Sequence, residues 1–305
     1  MSKKLIQAAA GAGGEPVYVE DVFSTYLYDG NNSATSVTNG LDLSGEGGLV
    51  WIKRRNGTNY HSLFDSETSS GGRYYLTSNA SDALLDTGTT SVPFTSTGFT
   101  ANGSSFQWNN SAGEYTSWSF RKQAGFFDII TWSGDGTTGR AIPHNLGSTP
   151  GCVIVKAYNQ SQNWGVLARK SDGTWAYGGA TYAFGLNTSE PALSQSSIST
   201  DATNFYPEDL RTGTNWNASG YNYVAYLFAH DDQSFGDNSD ESIIKCGSFT
   251  TDSSAVFYEN LGFEPQWVLV KRSDGTGSWN LLDNMRGFLA EGTAGGKYLR
   301  PDNSN

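Results

Sequence analysis

Three stretches of this chain fall into register without a gap: LSGEGGLVWIK (residues 43–53), LGSTPGCVIVK (146–156) and LGFEPQWVLVK (261–271). An internal repeat constrains a fold strongly, because each copy must build the same local unit. In every copy a Leu precedes a Gly or Pro turn, and an apolar run then ends in Lys. Val50, Val153 and Val268 match, as do Ile52, Val155 and Val270 two residues on. Period-2 spacing places each pair on one face of a strand. Eight residues past each Lys stand His61, Trp164 and Trp279, followed two residues later by Leu63, Val166 and Leu281. The pattern predicts a strand, a polar turn and a returning strand. RRNGTN (54–59) and RSDGTGS (272–278) carry the Asn-Gly and Asp-Gly pairs of tight hairpins.

Lys53, Lys156 and Lys271 lie 103 and 115 residues apart, a common domain length. Each repeat opens on a strand that runs into a polar turn: STYLYDGN (from Ser24), DIITWSGDG (from Asp128) and SIIKCGSFTTD (from Ser242). The first two close on NSAGEYTSWSFR (from Asn110) and NASGYNYVAYLFA (from Asn217). Repeats one and three share GGRYYL (from Gly71) and GGKYL (from Gly295). The organisation expected is an arm at 1–20, repeat one at 21–125, repeat two at 126–232, an acidic linker at 233–241 and a partial repeat three at 242–305. The counterpart of Phe120 and Phe228 is missing from repeat three, so a longer natural chain is expected.

Composition agrees. Aromatics at 13%, 37 glycines and only 16% charged residues suit short pleated strands joined by many turns. No amphipathic helix of useful length is evident. The fold class expected is all-β: tandem β-sandwich domains of jelly-roll type behind an extended N-terminal arm. A net charge of −11 repels phosphate and argues against a nucleic-acid partner. No apolar run reaches the ~20 residues of a membrane span, so membrane insertion is not expected. Cys152 and Cys246 each sit in an apolar run and read as free thiols rather than a disulfide framework.

Chemistry-bearing patterns are sparse. His61, His144 and His230 lie in three different contexts without metal-ligand spacing, and His61 holds the slot of two tryptophans, which makes it a packing variant. No Gly-x-Ser-x-Gly elbow occurs, and no carboxylate pair stands out from turn residues. The chain therefore reads as non-enzymatic and free of cofactors. Asp231, Asp232, Asp237 and Asp240 supply oxygens that Ca²⁺ could use, but the spacing is not that of an EF-hand and suits a solvated linker better. The aromatic loop TWAYGGATYAFG (174–185) offers Trp175, Tyr177, Tyr182 and Phe184 as a binding surface, for stacking on sugars or anchoring a protein. The plainer alternative is that these rings fill a sandwich edge or a subunit contact.

DVFSTYLYDGN (from Asp21), GLVWIKRR (from Gly48), SWSFRK (from Ser117), HNLGSTPG (from His144), YVAYLFAHDD (from Tyr223), SIIKCGSF (from Ser242) and LGFEPQWVLVKR (from Leu261) resemble the repeated domain of structural proteins of marine cyanophages and related viruses. LIQAAAGAGG (from Leu5) is similar to openings in the same group. The resemblance implies a virion protein, tail-fibre-like or simply structural, with lectin-like β domains, and carries no catalytic residues over. The resemblance leaves tail and capsid both open; the leading expectation is a tail appendage, with Lys3, Lys4, Leu5 and Ile6 in the arm docking onto other tail proteins of portal-proximal adaptor or nozzle type. The resemblance further implies a homotrimer, and a host cell-surface glycan is the candidate ligand of the aromatic loop. A capsid decoration protein and a polysaccharide-degrading tailspike are the rival expectations.

Overall fold

The computed structural model describes residues 15–169, 176–177, 180–195, 199–207, 216–251, 258–287 and 297–304, with backbone alone at 176–177, 180–182 and 193–195. After a one-turn helix, α1 (Val19–Val22), the described chain is strands and turns. Repeat one holds β1 (Phe23–Asp29), β2 (Ala34–Thr38), β3 (Gly48–Arg54), β4 (Ser62–Asp65), β5 (Tyr74–Tyr75), β6 (Leu85–Asp86), β7 (Phe94–Thr95), β8 (Gly98–Asn102) and β9 (Glu114–Arg121). Repeat two holds β10 (Phe127–Ser133), β11 (Ile142–Pro143), β12 (Cys152–Ala157), β13 (Gly165–Ala168), β14 (Ala176–Tyr177), β15 (Ala180–Phe184), β16 (Leu193–Gln195), β17 (Ser199–Thr200), β18 (Asn204–Tyr206) and β19 (Asn222–Phe228). Repeat three contributes β20 (Trp267–Val270) and β21 (Asn280–Asp283).

Repeats one and two are each a two-layer sandwich. In repeat one a large antiparallel sheet, β1-β9-β3-β4, faces the small sheet β2-β8-β7. In repeat two the large sheet β10-β19-β12-β13-β15-β14, with β16 also on β15, faces β11-β18-β17. The all-β expectation is met. Period-2 matching predicts the inner faces correctly: Val50 and Ile52 pack with Phe99 and Tyr115, and Val153 and Val155 pack with Phe205 and Trp216. The strand that closes each repeat lies in the middle of its large sheet, β9 between β1 and β3 and β19 between β10 and β12.

The two sandwiches repeat down to their hydrogen bonds. Tyr28 stacks on Tyr115 at 5.2 Å and donates to the Trp108 carbonyl, while Trp132 stacks on Tyr223 at 5.1 Å and donates to the Trp216 carbonyl. Asn109 Nδ2 reaches the carbonyls of Ser33 and Ala101, each at 2.8 Å, and Asn217 Nδ2 reaches that of Thr137 at 2.8 Å. Trp108-Asn109 thus matches Trp216-Asn217, so the closing segments align one residue away from the register that NSAGEY and NASGYN suggest. Gly165 is glycine for a steric reason: a Cβ there would lie 1.7 Å from the Trp216 ring.

Two local expectations change. The β3–β4 and β20–β21 hairpins form, but their Gly57 and Gly275 are not left-handed, so neither is a two-residue tight turn. Instead Arg54 Nε donates to Asn56 Oδ1 at 2.8 Å and Arg272 Nε donates to Asp274 Oδ1 at 2.7 Å, holding wider loops. The second change is in repeat three, where residues 242–249 carry no strand. This stretch is held by its carbonyls and amides, Asp231 N–H to Ile244 O and Cys246 N–H to His230 Nδ1. The acidic segment is packed: Phe235 is buried, bridges back to Glu241, and Gly236 N–H bonds the Val17 carbonyl. Tyr18 donates to Asp237 across the same contact. Residues 17–22 therefore lie on the body rather than in a free arm.

Candidate functional site: the inter-repeat ring and its cleft

The inner strands β3 and β12 are buried on both faces, which is why they read as continuous apolar runs and not as alternating ones. The face turned away from the sandwich core joins the other repeats. Leu49, Trp51 and Trp118 of repeat one meet Ile154, Trp164 and Tyr226 of repeat two and Trp279 and Leu281 of repeat three in one shared core.

The polar contacts in that core run in one rotational sense. Trp164 Nε1 of repeat two donates to the Thr77 carbonyl of repeat one at 2.9 Å. Trp279 Nε1 of repeat three donates to the Gly185 carbonyl of repeat two at 2.8 Å. These acceptors correspond: Leu76, Phe184 and Leu299 pair with Leu63, Val166 and Leu281 in the three repeats, so Thr77, Gly185 and Arg300 are equivalent. His61 holds the third slot, fully buried. Its Nδ1 accepts from Trp51 Nε1 at 2.9 Å, which leaves the ring proton on Nε2. Nε2 has no partner in good hydrogen-bond geometry, although the Arg300 backbone favours its protonation. Burial outweighs that effect and holds His61 well below the usual histidine pKa, so the ring is neutral. The backbone N–H of His61, Trp164 and Trp279 each bonds a side-chain oxygen, from Asn79, Asn187 and Asp302.

The conserved spacing of the lysines has the same origin. Lys53 Nζ spends its three protons on the carbonyls of Arg54, Gly57 and, in repeat three, Ser304. Lys271 Nζ reaches Arg272 and, in repeat two, Ser189. Lys156 Nζ donates to Ala157 and Gln160, and Asp82 of repeat one favours its charge. Desolvation pushes Lys53 and Lys156 down to about 8. The carboxylates follow suit. Asp65 accepts from Tyr226 Oη of repeat two at 2.9 Å, and its equivalent Asp283 accepts from Trp118 Nε1 of repeat one at 3.0 Å. Asp283 is also paired with buried Arg286 at 2.6 Å. Burial raises Asp65, although hydrogen bonds from Thr68, Tyr226 and Glu67 oppose the rise. The equivalent position in repeat two is Ala168.

Beside β20, which pairs with β21 alone among the described residues, lies an apolar cleft of about 750 Å³. Phe120, Phe228, Ile154, Ala168, Trp267 and Leu269 line it. Phe120 lies edge-on to Phe228 at 5.4 Å and to Trp267 at 5.5 Å. Cys152 and Cys246 face this space as free thiols, both pushed up by burial, Cys246 to about 12.

The residues singled out from sequence are dispersed. Lys3, Lys4, Leu5, Ile6 and Trp175 lie outside the described residues, as do the side chains of Tyr177 and Tyr182. Phe184 is turned inward, 9% exposed, edge-on to Trp279 at 5.6 Å, with Lys271 Nζ 6.0 Å from its ring. It is an inter-repeat filler and presents no face to a ligand. Asp231 sits in a left-handed turn, Asp232 lies beside Gly125, and Asp237 takes the Tyr18 hydroxyl. Among the described residues no group of three His, Cys, Asp or Glu side chains is placed to hold a metal ion. The cleft was not foreseen in the sequence.

No curated protein matches this chain, and no solved structure matches it. A family model described as a domain of unknown function (DUF7483) matches residues 19–305, from the first residue of α1 through all three repeats. The chain therefore belongs to the DUF7483 family.

Proposed function

We propose that this protein is a structural component of a virus particle, a tail fibre or tail-associated appendage of a cyanophage that docks through its N-terminal segment and holds β-domains outward for host attachment. The observation that supports a scaffolding role is where the buried ionisable groups are spent. Lys53, Lys271, Asp65 and Asp283 each bond across a repeat boundary, and His61 is locked neutral between tryptophans. Groups held by fixed partners in this way stiffen a body and are not free to exchange protons with a substrate. The resemblance of the repeats to cyanophage structural proteins supports the viral setting. Val17 and Val19 pack against the shared core, which gives the preceding residues a fixed point of departure.

Immunogold electron microscopy of intact virions, with antibody raised against residues 21–232, tests this reading. Gold at the tail is the expected result. Gold over the head would make the protein a capsid decoration, and absence of gold from particles would overturn the virion assignment. A chain lacking residues 1–14 should keep its β-rich circular dichroism yet fail to join particles.

A further inference from the structure

A second hollow, of about 660 Å³, lies where repeat three meets repeat one. Arg55 and Glu114 of repeat one and Arg286, Lys297 and Arg300 of repeat three stand on its wall. Four cations thus face one carboxylate, in a chain whose net charge is −11. Two of the four are already paired: Arg286 is spent on Asp283, and Arg55 Nη2 lies 3.3 Å from Glu114 Oε2. Lys297 is exposed and Arg300 half-buried, and neither enters an ion pair among the described residues. Arg300 is nonetheless held in place. Its guanidinium lies 5.2 Å from the Tyr298 ring centre, and Nη2 donates to the Tyr298 hydroxyl at 3.2 Å. Its Nε is buried with no acceptor.

The fold itself does not demand these charges, because the other repeats build the same positions without them. Counted from the matched lysines, Arg55 corresponds to Tyr158 and Ser273. Counted from Asp283 and Asp65, Arg286 corresponds to Thr68. Arg300 corresponds to Thr77 and Gly185. Neutral residues therefore occupy these positions where repeat one meets repeat two, and Tyr158 packs there against the shared core. The cations between repeats three and one also oppose one another. Burial lowers the Arg286 pKa, Asp283 resists the fall, and the charge of Arg55 adds to it. Packing alone gives no reason to gather like charges, whereas a bound anion would offset their repulsion.

From this we infer that the hollow binds the isolated carboxylate or sulfate group of an acidic saccharide unit. Arg300 and Lys297 make the direct contacts, and Arg55 and Arg286 strengthen the positive field behind them. A guanidinium offers paired N–H donors to such an oxyanion, and the ammonium adds a point charge. The volume is in the range of small-ligand sites. Net charge narrows the class of ligand. The rest of the chain repels a long polyanion such as a nucleic acid, so the negative charge of the ligand is local and its body neutral. Met285 and the Tyr298 ring, both exposed beside the cations, supply the apolar surface on which a sugar ring packs. Such a site would serve host attachment and in that respect deepens the function proposed above. Its test uses the free chain, so it succeeds or fails independently of where the protein sits on a particle.

Sodium glucuronate, glucose and sodium sulfate are titrated separately into the isotope-labelled 305-residue chain at fixed ionic strength, while the arginine Nε–H resonances are followed. Saturable binding of glucuronate with a shift of the Arg300 resonance is expected, with weaker binding of sulfate and none of glucose. Arg300→Gln should weaken glucuronate binding at least about tenfold, and Lys297→Gln about threefold, with the circular dichroism unchanged. Lys297 is exposed, so its substitution tests the site even if Arg300→Gln disturbs the fold. Glu114→Gln releases Arg55 and should tighten binding about threefold, a gain that a purely structural cluster would not give. Glucose binding as well as glucuronate, no saturable binding of glucuronate, or an affinity unmoved by both Arg300→Gln and Lys297→Gln would overturn the inference. Sulfate binding as tightly as glucuronate would make the hollow a general anion site and overturn the saccharide assignment.

Discussion

Replacing Lys53 with Met should cost more stability at pH 9.5 than at pH 7.5, and the difference can be worked from the site. The Lys53 amine is fully buried among three carbonyls, with its stem along the shared core. Burial penalises the charged form in the folded state only, so the folded pKa falls to about 8 while the unfolded chain keeps 10.5. That penalty is complete below about pH 8 and is relieved as the pH rises from there toward 10.5. Between pH 7.5 and 9.5 this linkage adds about 2 kcal/mol to the stability of the parent protein and nothing to that of Lys53→Met. The raw pH profile is a poor readout, because other groups oppose the trend. Cys152 and Cys246 are raised, so they lose stability as the unfolded thiols ionise near 9.0, and Tyr28 and Tyr226 do the same above 10.0. Both chains carry these groups, so the difference between them isolates the lysine. Urea unfolding followed by tryptophan fluorescence at the two pH values measures it. A mutational cost that stays constant or shrinks at pH 9.5 would refute the assignment of Lys53 as a desolvated amine.

Two further perturbations probe the ring and one sandwich. Arg286→Met leaves Asp283 charged, buried and without its cation, and should cost about 3–5 kcal/mol in denaturant unfolding. Adding Asp283→Asn in the same chain should recover part of that loss, and a double variant no better than the single one would contradict the pairing. Gly165→Ala drives a methyl into the Trp216 ring and should cost roughly 3 kcal/mol or more, seen as a lowered melting temperature; an unchanged melting point would mean that Trp216 can move aside.

The sandwiches were legible in the sequence because burial against one partner layer leaves a period-2 trace, as at Val50 and Ile52. The shared core was not, because Trp51 and Ile154 interleave with those residues and turn the trace into a plain apolar run. What betrayed the ring was spacing without an obvious local use. Lys53, Lys156 and Lys271 end their strands with a charge where a strand boundary alone demands none, and that charge is consumed by carbonyls, in two cases across a repeat boundary. The His61, Trp164 and Trp279 slot was recognisable as packing, but its acceptor on the neighbouring repeat depends on a rotation that no linear pattern encodes. Phe184 misled for a related reason. Aromatics among glycines mark a binding loop and an inter-repeat filler alike, and only the position of Trp279 separates the two.

The direct bonds between repeats one and three have a mechanical consequence. Trp118 with Asp283, Ser78 with Pro301 and Lys53 with Ser304 fasten repeat one directly to repeat three. A load applied between repeats one and three does not pass along the backbone from one sandwich to the next, as it would in a string of beads. It falls first on this single seam, where several buried hydrogen bonds must shear together before any strand can lengthen. Such a body carries tension as a clasp does: it resists lengthening for as long as that seam holds.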